Sequence, residues 1–285
     1  MSAQQSAAPS DEEMQERRKK EQIQLTDRMR PIKHKIIVMS GKGGVGKSTV
    51  STNLAIALSQ AGKRVGLLDV DIHGPSIPKM LNLEDRRITG SGDTLLPVEL
   101  LKDFKVMSIG FLLKNQEDAV IVRGPMKYHT IRQFLKDVAW GELDYLIIDS
   151  PPGTGDEPLT VVQSIEDLDG AIIVTTPQQV AISDVNKSIT FCNKLDLPII
   201  GVLENMSGFI CPHCGKPVDI FSVGGGKRLA DEKGVPFLGC IPLDLEIVKS
   251  GDNGVPYVKA FPDSPTTKAF REAIYPIVCL PERSD

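Results

Sequence analysis

The stretch that most limits the fold of this chain is glycine-rich and covers residues 41–49, "GKGGVGKST". It follows a short apolar run, "KIIVMS", and precedes a segment in which apolar residues recur with the period of a helix. In the pattern G-x-x-x-x-G-K-[ST], glycines let successive backbone N–H groups point at phosphate oxygens, and the next helix directs its positive end at the same anion. A chance glycine-rich turn would lack this flanking strand and helix. The stretch therefore predicts a phosphate-binding loop between a strand and a helix.

Two residues of this loop have defined tasks in a nucleotide site. Lys47 is placed to neutralise the β and γ phosphates, and the Ser48 hydroxyl is placed to reach Mg²⁺. The whole loop is the predicted nucleotide contact: Gly41, Lys42, Gly43, Gly44, Val45, Gly46, Lys47, Ser48 and Thr49. The sequence thus predicts that the chain binds a nucleotide together with Mg²⁺.

Beyond the loop, short apolar runs alternate with segments of helical period through most of the chain. Examples of such runs are "RVGLLDVD", "YLIIDS" and "GAIIVTT". Near-continuous apolar runs are typical of strands that are buried on both faces. Hydrophobic residues make up 41% of the 285 residues, which is enough to build a sizeable core. The sequence predicts an α/β fold with a single doubly wound, mostly parallel sheet flanked by helices.

Two segments depart from this alternation. Residues 1–30 are polar and highly charged, which predicts a flexible polar N-terminal arm with too few apolar residues to pack, although a short helix near its end stays open. Residues 31–285 are predicted to form one P-loop domain, because no internal repeat or shift of composition marks a second one. Within that domain, residues near 206–224 are predicted to form an irregular insertion that is rich in Gly, Pro and Cys.

Charge and hydropathy argue against several classes of protein. The formal net charge is -4 and positive residues are scattered, whereas nucleic-acid binding needs concentrated Lys and Arg. No run approaches the ~18 apolar residues of a membrane span, and the N-terminus lacks the apolar core of a signal peptide. We therefore expect a cytoplasmic protein that binds neither nucleic acid nor membrane. Thiols stay reduced in that compartment, so the five cysteines are not expected to form disulfides.

Acidic residues stand at the ends of two predicted strands. "LLDVDIHGPS" places Asp69 and Asp71 after one strand, and "YLIIDSPPGTGDE" places Asp149 and Asp156 after another. Parallel strands bring their carboxyl ends to the edge where open α/β sheets bind ligands. We therefore expect these carboxylates beside the phosphate loop, although Asp69 and Asp156 are equally compatible with capping a helix or bracing a loop.

A second lysine, Lys42, lies inside the loop, where an ordinary P-loop does not need one. A solvated surface lysine is one explanation. In "KGGVGKST", however, this lysine resembles the deviant Walker A signature of the MinD, ParA and nitrogenase-iron-protein group of ATPases. That resemblance implies a homodimer with ATP at its interface, in which Lys42 reaches the phosphates of the partner's nucleotide.

The same resemblance implies roles for four further residues. Asp71 would polarise the attacking water, which makes Lys42, Lys47 and Asp71 the expected catalytic set. Asp149 would hold Mg²⁺ through a water molecule. Asn205 and Pro242 would line the adenine.

The stretch at 208–215, "GFICPHCG", holds two cysteines, Cys211 and Cys214, where a site built from cysteine alone needs four thiolates. A thioredoxin-like pair would begin a helix in a smaller fold. A zinc ribbon would need a second pair, which the three remaining cysteines do not form: Cys192, Cys240 and Cys279. His213 is either a third ligand or a loop residue without metal contact. In a homodimer, two pairs that meet on the two-fold axis would complete a four-sulfur site.

Further motifs extend the resemblance over about residues 33 to 260. They include "SGKGGVGKSTVSTNLA", "DVDIHGPSIPKML", "DSPPGTGDE", "ENMSGFICPHCG" and "GDNGVPYV". In order and spacing they look like the Mrp/ApbC/Nbp family of iron-sulfur cluster carrier ATPases. This resemblance implies a labile 4Fe-4S cluster shared between subunits through Cys211 and Cys214, and its transfer to apo iron-sulfur client proteins in a process coupled to slow ATP hydrolysis.

Two other functions stay open on the sequence. One is a positioning or partition switch of the MinD/ParA kind. Such switches usually use a basic surface or a cationic amphipathic helix, and the segment "KAFREAIYPIVCLPERSD" is not cationic and contains Pro276 and Pro281. The other is structural zinc that braces the dimer, because thiolates suit both zinc and iron.

Overall fold

The computed structural model describes residues 10–92, 94–112, 124–211, 213–214, 216–218, 220–221 and 223–281. The strands are β1 (Ile32–Met39), β2 (Val65–Asp69), β3 (Thr89–Ser91), β4 (Thr94–Leu96), β5 (Val98–Leu101), β6 (Phe104–Ser108), β7 (Leu143–Asp149), β8 (Gly170–Thr175), β9 (Ile199–Glu204), β10 (Phe209–Ile210), β11 (Pro217–Val218) and β12 (Phe237–Cys240). The α-helices are α1 (Asp11–Met29), α2 (Lys47–Gln60), α3 (Ile77–Met80), α4 (Gly124–Asp137), α5 (Asp156–Ser164), α6 (Gln179–Lys194), α7 (Gly225–Lys233), α8 (Leu245–Asp252), α9 (Tyr257–Ala260) and α10 (Pro265–Val278), with a 3-10 helix at Ile109–Leu112. None of the helices in these ranges is both long and apolar enough to cross a bilayer.

Eight strands form one central sheet in the order β12-β9-β8-β1-β7-β2-β6-β5. All neighbours are parallel except β5 and β6, which pair antiparallel at one edge. Helices pack on this sheet, among them α2 on β2 and β7, α6 on β8 and α7 on β9. The predicted doubly wound, mostly parallel sheet flanked by helices is therefore confirmed. The antiparallel edge strand is an addition that the apolar runs do not predict.

The register of the sheet determines where the functional side chains lie. Strands β2 and β8 are buried along their whole length, which is why their sequences read as unbroken apolar runs. Val38 near the end of β1 and Asp69 at the end of β2 both lie opposite Asp149 at the end of β7. The chain therefore leaves β1 for the phosphate loop at the edge where the two strand-end carboxylates meet.

The N-terminal segment differs from its prediction. Residues 11–29 form helix α1, which packs against α4 and buries Leu25 and Met29 at 1% and 2% exposure. The expectation that this segment has too few apolar residues to pack is wrong, because two apolar residues four positions apart share one face of a helix. The side chain of Gln22 adds a hydrogen bond to the backbone oxygen of Ser164 at 3.2 Å. Residues 1–9 lie outside the described part of the chain.

Candidate nucleotide site and cysteine hairpin

The phosphate loop curls between β1 and α2 because two of its glycines adopt backbone angles that other residues avoid. Gly44 and Gly46 have φ angles of 79° and 80°. A Cβ atom on Gly46 would lie 2.3 Å from the amide nitrogen of Asn205, and one on Gly41 would lie 2.3 Å from the backbone oxygen of Asp184 on α6. The loop is thus closely packed between the end of β9 and α6, which explains why glycine is needed at these positions.

Asp149, the last residue of β7, gathers the polar groups at the start of α2. Its fully buried carboxylate accepts hydrogen bonds from the hydroxyl groups of Ser48 and Ser51, both at 2.6 Å. The ammonium group of Lys47 lies 2.7 Å from Oδ1 of the same carboxylate. A hydroxyl and a carboxylate are ligand types that Mg²⁺ takes, so Ser48 and Asp149 fit the predicted metal. Three predicted residues therefore meet at one point.

A second buried carboxylate, Asp69, lies beside this cluster at the end of β2. Burial raises the pKa of Asp69 to about 7, and the negative charge of Asp149 acts in the same direction. Lys47 opposes the rise, as do hydrogen bonds from the backbone N–H of Asp71 at 3.1 Å and from the hydroxyl of Ser108 at 2.9 Å. Asp69 thus braces the loop that follows β2, one of the two roles that its position in the sequence allows.

Asp71, the predicted water-polarising residue, lies on that loop and is half-buried. Its Oδ1 atom accepts hydrogen bonds from the backbone N–H groups of His73 and Gly74, both at 3.2 Å. The carboxylate is therefore held by its own loop rather than by the cluster around Asp149. Asp156, the other strand-end carboxylate, is exposed in the first turn of α5.

A lysine on α4 joins the loop after β2 to α5. The ammonium group of Lys127 lies 2.6 Å from Nε2 of His73 and 2.8 Å from Oε1 of Glu157. Burial, the largest single influence, raises the pKa of Glu157. The hydrogen bond from Lys127, the backbone N–H of Glu157 and the positive charge of Lys127 together outweigh burial, so the net shift is downward. This bridge connects the loop that follows β2 to the first turn of α5, and the motifs in the sequence do not predict it.

Lys42 stands apart from the cluster around Asp149. Its backbone oxygen accepts a hydrogen bond from the hydroxyl of Ser40 at 2.9 Å, and its side chain is half-buried. Within the described ranges, the ammonium group of Lys42 has neither a hydrogen bond nor an ion pair. The two lysines of the loop thus differ, because Lys47 is paired inside its own chain whereas Lys42 is paired with none of the described residues.

A cavity of about 330 Å³ opens beside Gly46 and Thr49. Asn205 and Pro242, the predicted adenine contacts, both line it, together with apolar residues of α3 and α8: Met80, Ile247 and Val248. The side chain of Asn205 also donates a hydrogen bond to the backbone oxygen of Val45 at 2.9 Å. A mostly apolar cavity next to a phosphate loop has the properties that a nucleotide base needs.

The cysteine-rich insertion contains a short antiparallel hairpin, β10–β11, where the sequence predicts irregular structure. Cys211 and Cys214 lie in the segment that joins its two strands, and the N–H of Cys211 donates to the backbone oxygen of Lys216 at 3.0 Å. Cys211 is half-buried and Cys214 is exposed. Backbone N–H groups of Cys214 and His213 lower the pKa of the Cys211 thiol. The hairpin therefore presents two accessible sulfur atoms, one of which is favoured as a thiolate.

No second ligand pair lies nearby in the described part of the chain. No group of three or more His, Cys, Asp or Glu side chains there is arranged to hold a metal ion. In this structure His213 is therefore not arranged with Cys211 and Cys214 as a group of three metal ligands. The other cysteines lie elsewhere, in α6, in β12 and after α10: Cys192, Cys240 and Cys279. One chain thus offers two thiolates at this hairpin.

Sequence reasoning missed two polar residues of this region. Ser51 follows Lys47 by one helical turn, so its place on the same face of α2 could have been inferred from the spacing. Glu204 ends β9 directly before Asn205, and the rule that strand ends carry functional groups also applies to it. Its carboxylate accepts hydrogen bonds from Ser207 and from the start of α7.

A family profile described as ParA: NUBPL iron-transfer P-loop NTPase matches residues 31–278. Among curated proteins, the iron-sulfur cluster carrier protein of Methanocaldococcus jannaschii is 54% identical over 254 residues, which cover 89% of this chain and 87% of that protein. The cytosolic Fe-S cluster assembly factor NUBP2 of Bos taurus is 50% identical over 242 residues, which cover 84% of this chain and 89% of that protein.

Two solved structures illustrate the structural similarity. A nucleotide-binding protein from Archaeoglobus fulgidus, in complex with ADP and with cobalt found by PIXE, superposes with a TM-score of 0.72 at 43% identity, over 82% of this chain and 91% of that one. The septum site-determining protein MinD from Pyrococcus horikoshii, complexed with Mg-ADP, gives a TM-score of 0.65 at 24% identity, over 87% of this chain and 96% of that one. At this low identity, the second similarity concerns the fold alone.

Proposed function

Since this chain belongs to the NUBPL iron-transfer P-loop NTPase family, we propose that it is an ATPase that carries a 4Fe-4S cluster between two subunits and transfers it to apo-proteins. The observation that carries the proposal is the pair of accessible thiols, Cys211 and Cys214, on hairpin β10–β11. A cysteine-ligated cluster of this type takes four thiolates. Two hairpins related by a two-fold axis would supply that set, with the cluster as cargo.

ATP is the proposed nucleotide. Its phosphates would lie in the loop at residues 41–49, and its base in the cavity lined by Asn205 and Pro242. The ADP complex of the Archaeoglobus fulgidus relative supports this assignment. Ser48 and Asp149 would hold Mg²⁺, which when bound neutralises phosphate charge.

The ion pair of Lys47 and Asp149 suggests how the loop receives a phosphate. A triphosphate in the loop would compete with the Asp149 carboxylate for the Lys47 ammonium group, because both are anions within its reach. Asp149 keeps the hydroxyl groups of Ser48 and Ser51 as partners when Lys47 turns toward phosphate. The exchange therefore leaves no buried charge without a hydrogen bond.

Asp71 would orient the attacking water. Its Oδ1 atom is occupied by the N–H groups of His73 and Gly74, which fixes the carboxylate plane and leaves Oδ2 as an acceptor for a water proton. The bridge from Lys127 to His73 and Glu157 would hold this loop close to the first turn of α5. Positioning of this kind is what phosphoryl transfer chiefly requires from a protein.

Lys42 would act across a homodimer interface on the partner's nucleotide. The absence of an ion pair for its ammonium group among the described residues supports this role, because a lysine committed inside its own chain would have to break a contact first. Nucleotide state would then alter the same interface that holds the cluster. This provides a physical route from hydrolysis to cluster release.

The relatives named as cytosolic Fe-S cluster assembly factors support a cytosolic location for the protein. Apo iron-sulfur proteins are the proposed clients, because a labile cluster on exposed ligands passes readily to a site with stronger ligands.

Anaerobic reconstitution with iron and sulfide, on wild type and on the double variant Cys211→Ala/Cys214→Ala, tests the proposal. We expect about four irons and four sulfides per dimer in the wild type and none in the double variant, because four thiolates hold such a cluster. Sedimentation of the same samples reports the dimer. Zinc in place of iron, or a cluster that still assembles without both cysteines, would contradict the proposal.

A second experiment tests the alternative function. Sedimentation of the protein with liposomes or DNA in the presence of ATP would favour a positioning switch instead.

A further inference from the structure

Glu204, the last residue of β9, is a buried carboxylate with no role in the nucleotide and cluster sites proposed above. Its side chain is inaccessible to solvent and accepts hydrogen bonds from the hydroxyl of Ser207 at 2.5 Å, from the N–H of Gly224 at 2.8 Å and from the N–H of Gly226 at 2.5 Å. Ser207 and Gly224 lie at the two ends of the segment that carries the cysteine hairpin. One carboxylate therefore joins both ends of that segment.

The same carboxylate also occupies the start of helix α7. The residue before this helix is Gly224, with φ of 76°, and it brings no side chain of its own to cap the helix. Glu204 supplies that cap, since a negative charge at a helix N-terminus is favoured by the exposed N–H groups there. A Cβ on Gly226 would lie 3.1 Å from Oε2 of Glu204 and 3.0 Å from Cγ2 of Thr175. The contact is therefore close-packed as well as hydrogen-bonded.

The next residue along the chain, Asn205, makes the complementary connection. Its side chain donates to the backbone oxygen of Val45 in the phosphate loop at 2.9 Å, and it lines the cavity proposed for the base. Two further hydrogen bonds attach the base of the hairpin to residues 241–243, of which Pro242 and Leu243 line this cavity. The N–H of Ser207 donates to Ile241, and the N–H of Leu243, which also lines the cavity, donates to Gly208, both at 2.9 Å.

We propose that Glu204 is a positioning residue that transmits nucleotide binding to the cysteine hairpin. A shift of Asn205 against the phosphate loop moves its neighbour Glu204, and Glu204 holds both ends of the hairpin segment, so the segment moves as one unit. This inference rests on the proposed function, since it assigns the cavity to ATP and the thiols to the cluster. It adds the physical connection between the two sites.

The first test is hydrogen exchange of residues 207–224 in metal-free protein, with and without ADP. In wild type we expect ADP to slow exchange in this segment. Glu204→Gln keeps the shape of the side chain but removes its charge. It also places an NH₂ group, which is a donor, opposite the N–H and O–H donors that the carboxylate accepts from. In this variant we expect residues 207–224 to exchange roughly tenfold faster, because one hydrogen bond to a charged acceptor is lost. We also expect their exchange rate to be the same with and without ADP. ADP affinity itself should be retained.

A matched control is Glu142→Gln, at the amino end of β7, where the side chain is 77% exposed and pairs with Arg64. We expect this variant to exchange like wild type and to respond to ADP. Ser207→Ala, which removes one donor to Glu204, should show a smaller change in the same direction and replaces Glu204→Gln if that variant does not fold.

The second test separates positioning from a purely structural role. ADP affinity is measured with and without Zn²⁺ on the hairpin, and the ratio of the two values is the coupling factor. A structural role would change the affinities but keep the ratio, whereas a positioning role brings the ratio to one in Glu204→Gln. A wild-type ratio of one, or a ratio unchanged by the substitution, would overturn the inference. Failure of wild type to assemble a cluster would instead contradict the proposed function, while the exchange experiment on metal-free protein would still decide the role of Glu204.

Discussion

The ammonium group of Lys47 lies 2.7 Å from Oδ1 of Asp149, and both side chains are almost completely buried. This ion pair occupies the point where the phosphate loop, the start of α2 and the end of β7 meet. Binding of a phosphate would use the same ammonium group. Substitutions of Lys47 and of Lys42, the other lysine of the loop, are therefore expected to differ in their effect on nucleotide binding.

Lys47→Ala should weaken ADP and ATP binding by about 10- to 100-fold, because the variant loses one or more charge-assisted hydrogen bonds to phosphate. Isothermal titration calorimetry measures the change. Lys102→Ala removes an exposed lysine after β5 and serves as the control, with affinity expected to match wild type. Unchanged nucleotide affinity in Lys47→Ala would show that the loop does not bind phosphate as proposed.

Lys42→Ala should bind ADP like wild type but hydrolyse ATP at least tenfold more slowly, because a cation that stabilises the transition state contributes on the order of 10²-fold or more. Mixing Lys42→Ala with Lys47→Ala tests whether the lysine acts between subunits. Each mixed dimer would contain one site with an intact Lys47 from one chain and an intact Lys42 from the other. Recovery of activity on mixing supports action across the interface, and a mixture as inactive as its components would contradict it.

Asp69 should make the stability of the protein depend on pH. Its pKa is raised to about 7 in the folded chain from 3.8, so protonated Asp69 favours the folded state, and this contribution is lost as pH rises through about 7. We therefore expect the free energy of unfolding of wild type, compared with that of Asp69→Asn, to fall between about pH 5 and pH 8. The fall is on the order of 1.4 kcal/mol for each pH unit of this range that lies between the unfolded and the folded pKa of Asp69. Urea denaturation measures it.

The control for this measurement is Asp263→Asn, which changes an exposed carboxylate before α10. It should keep the pH dependence of wild type. Parallel pH profiles for wild type and Asp69→Asn would show that Asp69 is ionised in the folded chain throughout that range.

Cys211 should react with iodoacetamide near neutral pH faster than Cys279, an exposed thiol after α10, because the N–H groups of Cys214 and His213 lower the pKa of Cys211. Peptide mass spectrometry of metal-free, reduced protein follows both sites. Cys214→Ala keeps the backbone N–H at that position and should retain most of the effect. Equal rates at Cys211 and Cys279 would remove the evidence for a favoured thiolate.

Leu25→Ala should lower the free energy of unfolding by about 2–4 kcal/mol, the usual cost of truncating a buried leucine. Ile23→Ala on the same helix removes a side chain that is 61% exposed and should change the stability little. ADP affinity should stay unchanged in both variants, because α1 packs against α4 and neither Leu25 nor Ile23 lines the cavity beside the phosphate loop. A small effect of Leu25→Ala would indicate that α1 does not dock on the rest of the chain in solution.

Much of the fold could be predicted from sequence because its central strands are buried on both faces and read as apolar runs, as in β8. Elements without that signal were missed, or, like helix α1, left open only as a short helix without packing. Strands β10 and β11 have two residues each, too few for any periodicity. Helix α1 has a highly charged sequence, and its packing depends on the spacing of Leu25 and Met29 rather than on its composition.

In the candidate site, too, some residues could be predicted from the sequence and others could not. The phosphate loop and its nearest partners were predictable because the motif itself contains Lys47 and Ser48, and Asp149 ends a strand that the sheet register places beside them. The family resemblance, read from several motifs in order, was confirmed. The contacts of Glu204 could not be predicted, because its donors Gly224 and Gly226 lie 20 and 22 residues further along the chain, beyond a segment of irregular sequence.

The convergence of Ser207 and Gly224 on one carboxylate also has a consequence for how such a protein can diversify. A segment whose two ends are held together can lengthen or change its content without displacing the strand that it leaves or the helix that it enters. Closure of a longer loop costs only about 0.6 kcal/mol per doubling of its length. The sheet and the cysteine turn are therefore modular, and a turn with other side chains could be grafted between the same two anchor points.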